Sequence, residues 1–263
     1  MIGDLFNEVL YRPLLNALVF LYKITGDLGA SIVLLTLLIK LLLHPLLKKQ
    51  IESQHHIKKL QPKVDEIKEA HKHNKEEQSK KLLELYKNEG VNPAAGCLPV
   101  LVQLPILIAL YQVFSPGKAL IIDGDHLRLA EGMLYDFLNG IGNVSKMFLG
   151  AVDLTQRNIV LAFLSGALQF VQSKLIMTES GKGKAGAEKD KQKNSQEKAQ
   201  KQNIQIQNTL NSQMLYMMPA LTFFFALSLP AALPLYWSTN TVVAIFQQWH
   251  IEKRVKSKKP SPK

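Results

Sequence analysis

Thr36, Lys40 and His44 recur at four-residue spacing inside the apolar run SIVLLTLLIKLLLHPLL, residues 31–47. Residues four apart lie on one face of a helix, so the three form a polar stripe that Lys48 extends. The chemistry open to such a stripe is electrostatic and hydrogen-bonding: a fixed cation, a hydroxyl and an imidazole. A charge at the centre of a bilayer costs about 2.5–3.5 kcal/mol on insertion scales, so Lys40 needs either an escape to the interface or a function. The escape is snorkelling along roughly eight residues, ~12 Å of helix.

Polar residues in the other apolar runs favour a function. Gln103 sits in the middle of one run, and Ser165, Gln169, Gln172 and Ser173 line one side of another. Trp237, Thr241, Ala244 and Gln248 follow near-helical spacing in the last, with Tyr236, Ser238 and Asn240 beside them. Interhelical hydrogen bonding, worth about 0.6 kcal/mol on average, accounts for scattered serines and threonines. A cation accompanied by several glutamines points instead to a wet groove.

Covalent chemistry finds no support. No catalytic constellation is recognisable, so an enzyme is not expected, nor a cofactor. GKGKAG (181–186) lacks the G-x-x-x-x-G-K-[ST] spacing of a phosphate loop and any preceding strand. His55, His56, His71 and His73 carry no cysteine or carboxylate pattern that would complete a metal site. Cys97 is the only cysteine, so no intramolecular disulfide forms and ordinary packing is its expected role.

The elements that must position these residues follow from composition. Hydrophobic residues make up 47% of the 263, yet the mean hydropathy is only +0.01, so apolar residues are concentrated in segments and diluted by very polar ones. About 20 helical residues cross a ~30 Å hydrocarbon core. Five segments approach that length, giving an all-α, polytopic membrane protein with transmembrane helices over 28–47, 96–114, 158–177, 214–229 and 231–249. The last two are joined only by a turn at SLPAALP and form a tight antiparallel pair, short enough to imply tilt or local bilayer thinning.

Lysines orient the spans. The net charge of +11 suits an anionic leaflet as well as nucleic acid. The lysine-rich stretches 48–95 and 178–213 belong in the cytoplasm, and the acidic stretch 115–157 outside. The N-terminus is then external, and the basic tail 250–263 cytoplasmic.

Residues 1–27 place Asp4 and Glu8 ahead of the apolar stretch and lack an A-x-A-like cleavage site, unlike a secretory signal. They read as an external, interfacial amphipathic helix. Within 48–95, Ile57, Leu60, Val64 and Ile67 at helical spacing, and Leu82, Leu83, Leu85 and Tyr86 beyond HKHN, predict a cytoplasmic helical hairpin. Its charge run fits a solvated face and a docking site equally well. Residues 178–213 have almost nothing large and apolar to bury and read as a flexible loop.

The segments LQPKV, ELYKNEGVNPAAGCLPVLVQLPILIALYQVF and LPAALPLYWSTNTVVAIFQQWHI strongly resemble the YidC/Oxa membrane protein insertases. The resemblance runs in order along nearly the whole chain, and the N-P-x-x-G-C-L-P-x-L-x-Q-x-P stretch at 92–105 is long and specific. It is to the short bacterial form, the five-span core without the extra N-terminal span and large periplasmic domain of some members. It implies a hydrophilic groove open to cytoplasm and lipid, with Lys40 in the place of the usual arginine and Thr36 one turn before it. Gln103 matches the groove glutamine of the second core span, and Tyr236 with Trp237 stands where the family often has two tyrosines. Lysine keeps the charge of arginine but loses its planar five-donor fork.

The resemblance implies an insertase and chaperone of the plasma (inner) membrane, contacting its clients through Thr36, Lys40, His44, Gln103, Gln169, Tyr236, Trp237 and Asn240. Expected partners are nascent membrane proteins, the lipid bilayer, the ribosome through hairpin and tail, and the general translocon, but not DNA. For the tail, the anionic leaflet is an equal alternative to ribosomal RNA. Two other classes stay open: a small channel or transporter, against which stands the lack of an inverted repeat, and an assembly scaffold, which has no need of Lys40.

Overall fold

A computed structural model describes residues 2–92, 98–115, 120–123, 126–129, 132–138, 141, 143–181 and 215–257. Cys97, Met214, most of the expected loop over 178–213 and the end of the basic tail lie outside the described residues, as does part of the 92–105 motif. The fold is mostly helical. It divides into two compact units, Met1–Leu38 with Leu107–Ile245, and Ile39–Ile106 with Phe246–Lys263.

The first unit begins with α1 (Ile2–Phe6), a single π-helical turn (Asn7–Tyr11) and α2 (Arg12–Thr25). Pro13 at the start of α2 suits its fixed φ, and Gly26, at φ +68°, closes the helix with its N–H on the Tyr22 carbonyl at 2.8 Å. One face, including Leu14, Leu15, Leu18 and Val19, is buried, while Leu5, Val9, Phe20 and Ile24 are exposed. Burial pushes the Tyr11 hydroxyl up from its ordinary pKa.

Asp27 joins this helix to the next. One carboxylate oxygen accepts from the Ala30 N–H at 2.8 Å, capping α3 (Leu28–Leu42), and the other accepts from the Leu149 N–H at 2.6 Å. Leu149 holds the left-handed φ of 50°, and Asp27 anchors its amide.

Residues 120–153 carry five short strands that the all-α expectation omitted. β1 (Leu120–Asp123), β2 (His126–Leu129) and β3 (Val144–Ser145) form one antiparallel sheet, with Asp123 opposite His126. β4 (Met147–Phe148) and β5 (Val152–Asp153) form a second pair. Leu127 of β2, Val144 of β3 and Leu138 between these strands in sequence are buried. In β5, burial raises the pKa of the Asp153 carboxyl, but Thr155 and the Lys146 ammonium, 3.5 Å away, outweigh it and leave it below the ordinary carboxylate value. α8 (Ile159–Gly181), α9 (Leu215–Leu227) and α10 (Ala232–Ser257) follow. The turn before α10 is tied down by Ala231 and Ala232 N–H groups on the carbonyls of Gln156 and Leu154.

In the second unit α3 does not run on to residue 47. It stops at Leu42, and α4 (His44–Lys59) leaves at 62°. Pro45 is the cause: it has no N–H for the ladder, and its ring collides with the preceding turn. Beyond α4, α5 (Gln61–Ala70) and α6 (Lys75–Asn88) pack as a hairpin through 71–74. Asn74 caps α6 by accepting from the Glu77 N–H at 3.1 Å, the Gln78 amide donates to the Lys68 carbonyl at 2.8 Å, and Lys63 pairs with Glu89 at 2.6 Å. α7 (Leu98–Phe114) completes the helices and contains Pro105.

Among the described residues no single helix is both long and apolar enough to cross a membrane, although the bent pair Leu28–Leu42 and His44–Ile57 qualifies by length and composition. The broken first segment and the short α7 and α9 account for much of the gap from five continuous spans.

Gly29 lies directly beneath Phe148, so that a Cβ there overlaps the ring. Gly29→Ala should destabilise the protein by about 1–3 kcal/mol through overpacking, read as a lowered thermal midpoint in detergent. Phe148→Ala in the same chain should return much of the loss. A wild-type midpoint for Gly29→Ala alone would show that this approach is not tight.

Candidate functional site

On three of the apolar helices polar residues share the interior while large apolar residues face outward, an inversion of a water-soluble surface. On α8, Ser165 is fully buried while Ile159, Val160, Phe163, Leu164 and Val171 are exposed. On α9, Thr222 is buried and Tyr216, Met217, Leu221, Phe224 and Phe225 are exposed. On α3, Ser31, Thr36 and Lys40 are buried, and Leu34, Leu37, Leu38, Leu41 and Leu42 are not. Polar groups inside and large apolar groups outside is the arrangement a lipid solvent selects.

In the first unit, Ser165 anchors α8 to α10. Its hydroxyl makes contacts with the Leu161 carbonyl at 2.8 Å, the Pro234 carbonyl at 3.1 Å and the Ser238 hydroxyl at 2.9 Å. One turn along, the Trp237 indole N–H donates to the Gln169 side-chain oxygen at 3.5 Å. Ser165 and Gln169 are four residues apart on α8, as are Pro234 and Ser238 on α10 with Trp237 beside Ser238, and together they make a polar seam. On the side of α8 that meets α9, Gly166 permits a close approach, because a Cβ there would stand 3.0 Å from Phe223 Cβ and 3.3 Å from the Pro219 carbonyl. Tyr236 is buried, and Asn240 is half-buried one turn beyond the seam.

Thr36 is also in the first unit, and its hydroxyl is turned back onto its own helix, donating to the Ile32 carbonyl at 2.7 Å. This satisfies a buried hydroxyl without reaching another element.

In the second unit, Lys40 is 9% exposed on the last turn of α3. The break at Leu43 interrupts the helical stripe expected to join Lys40 to His44, which begins α4. A residue the sequence reading passed over spans the interruption. Gln247 of α10 places its amide nitrogen 3.4 Å from the Lys40 carbonyl and 3.4 Å from the His44 Nδ1. The signal was a choice of register: the stripe Trp237, Thr241, Ala244, Gln248 competed with Asn240, Ala244, Gln247, and both are helical. Gln248, the other register's member, is buried and donates to Glu252 at 2.9 Å. Gln103, half-buried on α7, belongs to this unit as well.

The eight expected site residues are therefore divided: Gln169 with Trp237 in one unit, and Lys40 with His44, through Gln247, in the other. No group of three or more His, Cys, Asp or Glu residues suited to a metal is found among the described residues.

The chain as a whole is similar to known proteins. A family model described as "60Kd inner membrane protein" matches residues 20–259. A membrane protein insertase YidC of Fusobacterium nucleatum is 33% identical over 253 residues, covering 93% of this chain and 98% of that one. The YidC of Geobacter sp. strain M21 is 30% identical over 263 residues, of which this chain spans only 40% of the relative's length. Among solved structures, the crystal structure of an active YidC insertase with its first transmembrane domain resolved is similar at a TM-score of 0.53 and 27% identity, over 90% of this chain and 45% of that one.

The Ser165–Ser238 contact generates a prediction. In a double-mutant cycle with Ser165→Ala and Ser238→Ala, unfolding in detergent should show a coupling of about 0.6–1.7 kcal/mol, the range for interhelical hydrogen bonds in membranes. Strict additivity would remove the hydroxyl pair as a determinant of the α8–α10 contact.

Proposed function

From the premise that the chain belongs to the 60Kd inner membrane protein family, that of the YidC/Oxa insertases, we propose that it is a membrane protein insertase and chaperone. It moves nascent transmembrane segments and their short polar tails into the bilayer through a hydrophilic groove, without nucleotide hydrolysis. The observation that carries this reading is the inversion just described: a buried cation and buried hydroxyls and amides on helices whose outward residues are large and apolar.

In this reading five helical segments cross the plasma (inner) membrane. The N-terminus and the strands of 120–153 lie outside, and the α5–α6 hairpin and the C-terminus lie in the cytoplasm. Short segments such as α3, at 15 residues or roughly 22 Å, fall below a ~30 Å core and call for local thinning. Thinning itself shortens the path that polar atoms must travel.

The client chain meets the hairpin first. Its polar, often acidic, tail enters the groove, attracted by Lys40, while its apolar helix slides along the outward apolar faces. Thr36, His44, Gln103, Gln169, Tyr236, Trp237 and Asn240 line the path and offer hydrogen bonds in place of water. Burial of the apolar helix drives the transfer. The ribosome, through hairpin and basic tail, and the general translocon are the proposed cellular partners.

Two experiments test this reading. A photo-crosslinking residue at position 103 should capture a ribosome-bound, single-span nascent chain during insertion into liposomes holding only this protein. Insertion without any crosslink would move the path away from Gln103. In the same liposomes, Lys40→Glu should abolish insertion of acidic-tailed clients, whereas Lys40→Arg retains it. Normal insertion by Lys40→Glu would dismiss charge attraction, and ion flux altered by the substitution would favour a channel.

A further inference from the structure

We propose that Gln247 is a positioning residue: its amide staples the bend between α3 and α4 and so fixes the backbone from which Lys40 projects. The inference rests on the insertase reading for its functional consequence, though not for its geometry.

A proline-broken helix leaves backbone carbonyls without their ladder donors, and in a lipid environment such groups must find replacements within the protein. The Lys40 carbonyl lies in the last turn before the break, and the Gln247 amide nitrogen donates to it at 3.4 Å. The same nitrogen lies 3.4 Å from Nδ1 of His44, the first residue of α4. An amide nitrogen only donates, so with His44 in its Nε2–H tautomer each of its two hydrogens has an acceptor, one on either side of Leu43. One side chain thus holds both arms of the bend. Its own oxygen is buried and has no hydrogen-bond partner among the described residues, so the nitrogen's two contacts alone hold the amide. Leaving that acceptor unpaired is costly. Such a group persists where the rest of the side chain is held in place.

The partner element is well suited to the task. α10 runs unbroken over 26 residues from Ala232 to Ser257 and contains no proline beyond Pro234 in its first turn, so the backbone that carries Gln247 keeps its own hydrogen-bond ladder. Gln247 is three residues from Ala244 and seven from Asn240, on the face of that helix that already carries a groove residue.

The test is a distance. Spin labels at Leu34 and His56, in the full-length protein in liposomes, bracket the break. Helix rise alone gives about 33 Å for a straight segment and about 28 Å for one bent by 62°. Gln247→Met keeps the volume and removes the donor. We expect it to shift the distance distribution toward the longer value and to lower insertion of an acidic-tailed client about fivefold, the effect of losing one net hydrogen bond. Gln247→Asn keeps the amide one methylene shorter and should fall between Met and wild type in both readouts. Helical content by circular dichroism shows that each variant is folded. If Gln247→Met is unfolded, the Gln247→Asn distribution decides by itself. An unchanged distance in the folded variants overturns the staple, and a lengthened distance with undiminished insertion overturns its positioning role. A wild-type protein that inserts no client at all would remove the insertase reading and leave the distance as the test of the staple.

Discussion

A lysine 9% exposed in an apolar helix is the constraint around which much of this protein is organised. The side chain cannot be accommodated by its own helix, since its neighbours Leu37, Leu38, Leu41 and Leu42 all face outward. Polar surroundings for it must therefore come from other elements, and α10 reaches this turn of the helix, its Gln247 amide donating to the Lys40 backbone carbonyl. The helix itself ends within two residues of Lys40, so the charge sits beside backbone that has left the regular ladder. In a hydrocarbon solvent, irregular backbone and a buried cation carry the same requirement, shelter from lipid, and here the two stand side by side.

The same solvent logic explains how the helices adhere. With lipid as apolar as leucine, burying leucine between helices gains little, and contact must come from close packing and hydrogen bonds. Gly166 against α9 and the Ser165–Ser238 pair against α10 are instances of each. Outside the apolar helices α3 and α7–α10 the ordinary rules return. α2 buries Leu15, Leu18 and Val19, Leu127 and Val144 are buried on the strands, and Asn16 donates to the Met133 carbonyl and accepts from the Tyr135 N–H. That region forms a conventional core with one buried, fully bonded amide.

What could be read from sequence divides along physical lines. The polar stripe on α3, the glutamines and the seam on α8 were visible because a polar residue in an apolar run is conspicuous whatever the fold. The hairpin was visible through its apolar spacing and the polar break at 71–74. The strands were not, although Asp123-Gly124 between two short alternating segments is a hairpin signal, because a 43-residue connection between apolar runs reads first as loop. The bend at Leu43 was signalled by Pro45, whose effect depends on whether a neighbour re-satisfies the freed backbone. Gln247 was missed for a related reason: periodicity fixes a helical face only to within one residue, and hydrogen-bond partners lie beyond what spacing encodes.

The proposed activity asks little of this chemistry in equilibrium terms and more in kinetic ones. Burying each large apolar side chain of a client helix gains about 1.5–3 kcal/mol, so the inserted state is downhill by far more than one charged group costs at the bilayer centre, about 2.5–3.5 kcal/mol. The proposed transfer therefore calls for no energy source, and its barrier is the passage of the polar tail. A cation lowers that barrier most while the tail is partly dehydrated, because attraction between charges strengthens as the surroundings lose water. It must not bind the tail so firmly that release becomes slow. Lysine, a compact charge on a flexible stem, meets that balance differently from arginine, which grips a carboxylate with two parallel hydrogen bonds. A site built on Lys40 thus favours brief, weakly oriented contact, and the specificity of orientation falls to the backbone that carries it.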